Sequence, residues 1–120
     1  MVSLQCKFKN LIFNNPISNA SGVFCKERSD LLEMLHSFSG TFITKSCTLN
    51  PRPGNEKPSY WENDRVSINS MGLPNYGYIY YIDFIRQMNH EKLNKHCFLS
   101  IANINNDETK KILKYIKDEE

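Results

Sequence analysis

Residues 26–48 read "KERSDLLEMLHSFSGTFITKSCT", a stripe of spaced leucines followed by a β-branched run. Leu31, Leu32, Leu35 and Phe38 recur at three-to-four-residue spacing. A helix is therefore expected from about Lys26 to Phe38, with Gly40 as its stop. The pattern then switches. Thr41, Ile43, Thr44 and Thr48 are β-branched, so 41–48 reads as a strand. A helix feeding directly into a strand is half of a βαβ unit.

Working outward, the same alternation continues in both directions. Upstream, "LQCKFKNLIFNN" (4–15) places Leu4, Cys6 and Phe8, then Leu11 and Phe13, at a period of two, with Lys9 and Asn10 as the turn of a hairpin. "PISNASGV" (16–23) is a short element running into Ser21 and Gly22. Downstream, 49–66 holds Pro51, Pro53, Pro58 and Gly54 among charges and asparagines, and reads as a long loop. With Asn75 as N-cap, Tyr78, Ile82 and Ile85 mark a helix to about Met88. "HCFLSIA" (96–102) is another short strand. A last helix starts at Asn106, with Asp107 and Glu108 in its first turn, Ile112, Leu113 and Ile116 turned inward, and Lys114 and Lys117 near its end. The order is hairpin, β, α, β, long loop, α, β, α, which implies parallel βαβ units. A closed (β/α)8 domain needs about 250 residues. The chain is thus either a small open α/β sheet or the first part of something larger.

Composition narrows the partners. The 120 residues carry 15 basic and 13 acidic side chains, a formal charge of +2. That balance points away from nucleic acid and from an anionic membrane as the main partner. The N-terminus "MVSLQCKFKNLIFNN" lacks the apolar core of a secretion signal, and no window approaches the roughly twenty apolar residues of a span. A reducing, cytoplasmic setting is expected. Cys6, Cys25, Cys47 and Cys97 are widely spaced, with no C-x-x-C and no Cys/His set. They read as free thiols, and no metal is expected.

In parallel α/β folds ligands sit at the carboxyl ends of strands. Three polar words fall there: "NASG" (19–22), "TKSCT" (44–48) and "INSMG" (68–72). Ala20, Ser21 and Gly22 let a backbone approach a flat or phosphorylated ligand, or form a plain strand-to-helix turn. Neither G-x-G-x-x-G nor G-x-x-x-x-G-K-[ST] is present. Lys45, a long cation among β-branched residues, either offers its charge to an anionic ligand or an electron-rich cofactor or snorkels outward from an edge strand. Asn69, with Ser70 beside it, can give amide donors and a carbonyl acceptor to a planar ligand carrying C=O and N–H groups. Met71, Gly72 and Leu73 add backbone N–H groups and an apolar wall. The same string also suits an ordinary turn before a helix. Cys47 lacks an evident base and reads as structural.

The words "NPISNASGV", "FITKSCT" and "PRPGN", and above all "SINSMGLPN" (67–75), followed by "YGYIYYIDFI" and "FLSIA", resemble the N-terminal part of class 1A dihydroorotate dehydrogenases over nearly the whole chain. The resemblance implies an α/β fold, the N-terminal part of a (β/α)8 TIM barrel with a short hairpin plus about three βα units, and residues 1–120 as one incomplete domain. It implies FMN over the strand ends and oxidation of dihydroorotate to orotate in pyrimidine biosynthesis, with fumarate as acceptor and a homodimeric complete enzyme. Ala20, Ser21 and Gly22 would line the flavin with their backbone. Lys45 would lie between flavin and substrate, giving electrostatic support to both, and Ser46 would contact FMN. Asn69, Met71, Gly72 and Leu73, with Ser70 beside them, would hold the orotate ring and carboxylate.

The sequence also departs from the family pattern. Ser59 stands where an arginine of the active-site loop is expected, and Asn103 where a glycine is usual. The words bearing the catalytic cysteine base and the flavin phosphate site are not among residues 1–120, and neither Cys47 nor Cys97 lies in the base's word. The isolated chain is therefore expected to be inactive. Two other readings remain open: a non-redox module for a pyrimidine-like anion, and a degenerate remnant.

Overall fold

The structure, a computed structural model, describes residues 3–91, 93 and 95–118. The expected unit 1–120 is thus seen over 3–118, and its extreme ends lie outside the described residues. The expected hairpin is present: β1 (Cys6–Phe8) pairs antiparallel with β2 (Leu11–Phe13), and Lys9 takes the turn at φ 52°.

Helix α1 (Arg28–His36) is shorter at both ends than its stripe suggests. Caps explain this. The Asp30 carboxylate accepts from the N–H groups of Lys26 and Glu27 and fixes the first turn. At the other end the Lys95 ammonium donates to the carbonyls of Met34 and Ser37, each at 2.7 Å. Leu31 and Leu35 are buried, but Phe38 falls past the cap and is 79% exposed. Gly40 is not the helix stop. Its N–H donates to Ile17 O and Asn15 Oδ1, and a Cβ there would lie 2.0 Å from the Asn15 carbonyl oxygen.

Strand β3 (Thr41–Ile43) pairs in parallel with β6 (His96–Phe98), in the register Thr41 to His96 and Ile43 to Phe98. The pairing runs on past both strands, through Thr44 N to Phe98 O, Cys47 N to Ser100 O and Ala102 N to Cys47 O. A third parallel strand was expected from "PISNASGV"; among the described residues it does not form. Instead the Asn19 side chain does a ladder's work, its Nδ2 donating to Ile43 O at 2.9 Å and its Oδ1 accepting from Ile43 N at 2.8 Å. An amide side chain copies the peptide's donor and acceptor, so segment and strand align without pairing backbones.

The long loop contains more order than its composition promised. Strand β4 (Tyr60–Glu62) pairs antiparallel with β5 (Ser67–Asn69), and the Asn63 carboxamide caps the turn by accepting from Arg65 N and Val66 N. Helix α2 (Tyr78–His90) starts from Gly77 at φ 80°, not from Asn75. Helix α3 (Asn106–Asp118) is capped by Asn105, whose Oδ1 accepts from Glu108 N, rather than by Asn106. Only Ile112 of its stripe is fully buried, and Leu113 is exposed.

The core gathers Leu31 and Leu35 of α1, Phe42 of β3 and Tyr81, Phe84 and Met88 of α2 around Cys25 and Cys47. The result, among the described residues, is an open α/β unit of three two-stranded sheets. Among the described residues no helix is long and apolar enough to cross a membrane.

Gly40→Ala forces a methyl group into the Asn15 backbone. We expect it to destabilise the chain by about 2 kcal/mol or more, as overpacked sites do. A urea midpoint equal to wild type would show that the Asn15 segment can move aside.

Candidate functional site

The carboxyl end of β3 and the segment after β5 face each other across a cleft of about 420 Å³. It is lined by Gly22, Val23, Lys45, Tyr60, Asn69 and 71–74. That volume is in the usual range for a small-molecule site. Lys45 does not snorkel away from the fold. It is half-buried and its backbone N–H is tied to Cys25 O at 2.9 Å. Its charge is felt at that cysteine, whose thiol is pushed up by burial against the pull of the Lys45 ammonium. Among the described residues, neither the Lys45 ammonium nor the Asn69 amide has a hydrogen-bonding or ion-pairing side chain opposite it. Both are free to meet a ligand.

Asn75 holds the segment 71–74 in place. It is 1% exposed. Its Oδ1 accepts from Gly77 N at 2.8 Å and Thr48 N at 3.2 Å, while its Nδ2 donates to Leu73 O at 2.9 Å and Thr48 Oγ1 at 3.1 Å. One side chain thus fastens the segment to the end of β3 and to the start of α2. Arg52 adds a second tie through a backbone bridge to Asn75 and a bond from its Nε to Gly72 O at 3.2 Å. Between these ties Gly72 and Leu73 both take left-handed backbone, at φ 72° and 57°. For leucine this conformation is uncommon and costly, and such strain concentrates at ligand sites. At Gly72 a Cβ would also strike the Asn55 carboxamide at 2.3 Å.

Of the residues singled out in the sequence, Gly22, Lys45, Asn69, Met71, Gly72 and Leu73 meet at this cleft. Ser70 does not. Its N–H donates to Ser59 O and its carbonyl accepts from Asn55 Nδ2, and it faces a groove of about 230 Å³ across the hairpin, beside Trp61 and Ile68. Asn69 and Tyr60 line both this groove and the cleft. Ala20 turns its carbonyl inward to Gly22 N at 2.7 Å and lies outside the cleft lining. Ser21 and Ser46 stand just behind the rim, hydroxyl to hydroxyl at 2.9 Å. Ser59, at the position that departs from the family pattern, donates to Met71 Sδ at 3.6 Å.

Sequence reasoning passed over Tyr60, Pro74, Arg52 and Asn75 as site-builders. Tyr60 had a legible signal, since "SYW" and "VSI" flank Asn-Asp as two strands flank a turn. Cys47 is no nucleophile. It is fully buried, its thiol is pushed up to about 11 by burial, and its Sγ donates to Ser100 O at 3.2 Å. Cys97 is likewise pushed up to about 12 by burial.

This geometry has counterparts. The sequence model of the dihydroorotate dehydrogenase family matches residues 3–119. The chain belongs to the dihydroorotate dehydrogenase family. It is 45% identical over 117 residues to a putative dihydroorotate dehydrogenase A (fumarate) of Streptococcus equi subsp. equi, covering 98% of this chain and 38% of that protein. A protein of the same description from Streptococcus agalactiae serotype Ia is 40% identical over 118 residues, with the same coverage of both. The fold is similar to the crystal structure of DHODH from Eimeria tenella in complex with ferulenol, with a TM-score of 0.71 at 20% identity, over 93% of this chain and 33% of that one. The chain spans about 38% of the length of the curated dihydroorotate dehydrogenases it matches.

Asn75→Ala would leave the Thr48 and Gly77 N–H groups without their buried acceptor. We expect a loss on the order of 3 kcal/mol and faster amide exchange at 71–77 than across β3. Uniform acceleration over the whole chain would mean that Asn75 is a general core residue and not the fastening of this segment.

Proposed function

We propose that residues 1–120 form a single incomplete domain, the N-terminal part of a (β/α)8 barrel. In this reading they supply one wall of the site in a cytoplasmic, homodimeric, fumarate-dependent dihydroorotate dehydrogenase of pyrimidine biosynthesis. The observation that carries it is the cleft lined together by a half-buried cation, Lys45, an exposed amide, Asn69, and the apolar side chains of Met71 and Leu73.

The donor set fits the ring of FMN and a small pyrimidine. An isoalloxazine needs flat apolar walls, a close backbone approach and a few hydrogen-bond donors. Val23 and Gly22 in the cleft lining, with the Ser21–Ser46 hydroxyl pair beside Gly22 and Lys45 in the chain, would meet those needs. A Cβ at Gly22 would find nothing nearer than Ala20 O at 3.9 Å, so the backbone there is open to approach. Bound FMN would accept the hydride of dihydroorotate and pass the electrons to fumarate.

The chain's own residues do the rest. Lys45 lowers the energy of negative charge on either neighbour, and does so without reorganisation because it is held in place. Asn69 can donate from Nδ2 to a ligand carbonyl and accept at Oδ1 from a ligand N–H. With the Gly72 and Leu73 carbonyls engaged by Arg52 and Asn75, the backbone N–H groups of 72–73 would be the ones to donate to the substrate's carboxylate.

The test is a pair of titrations of the purified chain, FMN followed by flavin fluorescence and orotate by calorimetry. Asn69→Ala should weaken orotate about tenfold, since an unpaired ligand group costs about 1 to 3 kcal/mol, and leave FMN nearly unchanged. Lys45→Ala should weaken both. In the complete enzyme Lys45→Ala should slow flavin reduction by dihydroorotate far more than it lowers stability. Wild-type rates in that variant would remove Lys45 from the chemistry.

A further inference from the structure

Three hydroxyls stand in a row behind the rim of the cleft, each from a different segment that ends there. Ser21 Oγ lies 2.9 Å from Ser46 Oγ, and Ser46 Oγ lies 2.9 Å from Ser100 Oγ. The third member is the most firmly anchored. Ser100 N donates to Thr44 Oγ1 at 3.1 Å, and Ser100 O accepts from Cys47 N at 2.9 Å and from Cys47 Sγ at 3.2 Å. Thr44 and Cys47 are themselves fully buried. The Ser100 side chain therefore leaves the parallel pair from a fixed point.

Hydroxyl arithmetic then constrains the row. Three hydroxyls bring three O–H donors, and the two links between them use two. Whichever way the links run, one donor remains. When Ser100 donates to Ser46 and Ser46 donates to Ser21, the spare O–H is on Ser21, beside Gly22 in the cleft lining. The links also polarise one another, so each hydroxyl strengthens the donor at the far end.

We propose that Ser100 is a positioning residue whose hydroxyl orders Ser46, and through it the outward O–H of Ser21, toward a carbonyl or ring-nitrogen acceptor of the flat heterocycle held in the cleft. The inference rests on the flavin reading above. It deepens that reading by assigning to the strand-end word "FLSIA" a role that its backbone alone would not have. No proton need move along the row. The effect of Ser100 is to fix which lone pairs and which O–H face outward.

The test uses the isotopically labelled chain with FMN as probe, and the variants Ser100→Ala, Ser100→Thr, Ser46→Ala and the double Ser46→Ala/Ser100→Ala. Ser100→Ala should weaken FMN about fivefold, the worth of one hydrogen bond of about 1 kcal/mol. It should also shift the Ser21 amide resonance, although Ser21 does not touch Ser100, and Ser100→Thr should restore both. In the double variant the two losses should add to less than their product, because both act on one row. Wild-type affinity and an unmoved Ser21 resonance in Ser100→Ala would overturn the proposal, as would full additivity. Should the wild-type chain not bind FMN, the flavin reading fails instead. The Ser21 response to Ser100→Ala, read without ligand, then still decides whether the row exists. Should Ser100→Ala not fold, Ser100→Cys keeps the shape with a weaker donor and is read in the same way.

Discussion

The buried carboxamide of Asn75 is the joint on which the rest of the site depends. A ligand segment made of glycine, leucine and proline has no secondary structure to hold it, and two of its residues sit in left-handed backbone. Left to itself it would relax. Asn75 prevents this by spending both ends of one amide on three partners, Thr48 at the end of β3, Leu73 in the segment and Gly77 at the start of α2. The bonds to Thr48 and Gly77 are buried, so they are kept from exchanging with water, and removing the amide exposes the full cost of unpaired groups.

The same device recurs along the chain. Asn19 replaces a strand's backbone in holding Ile43, and Asn15 accepts from both Ile17 and Gly40 while donating to Phe38 O at 2.6 Å. Asparagine suits this work because its side chain is a peptide unit free of the main chain's direction. Asn15 binds at the amino end of β3, and Asn19 and Asn75 at its carboxyl end, the rim of the cleft, where extended backbone ladders reach only a few residues. The chemistry proposed for this rim inherits its precision from these amides, since Lys45 and Asn69 can act on a ligand only if their backbones are held at a fixed separation.

The legible and illegible parts of this structure divide along physical lines. Helical and period-two spacing is local, so α1, α2, α3, β3, β6 and the first hairpin could be read directly. The Asn69 and Met71–Leu73 word could be marked as polar and glycine residues at a strand end, and the structure sets these residues along one cleft, but its letters do not separate a ligand cradle from a plain turn. Helix ends were misplaced where the deciding cap comes from far away, as Lys95 does for α1. The roles of Asn75 and Asn19 were hidden because a buried amide and an exposed cap look alike in one sequence. Backbone sign is equally invisible, and nothing in the letter sequence says that Leu73 is left-handed. Ser70 lies outside the cleft lining because its N–H and carbonyl are taken by Ser59 and Asn55, partners distant in sequence.

The proposed function rests on Lys45 and Asn69, which line one cleft of a chain that belongs to the dihydroorotate dehydrogenase family. The most direct test is a crystal structure of this chain grown with orotate. The account requires orotate between the Lys45 ammonium and the Asn69 amide, with 72–73 in left-handed backbone and Asn75 still bonded to Thr48. Orotate bound elsewhere, or Lys45 and Asn69 found on different faces of the β3–β6 pair, would contradict it.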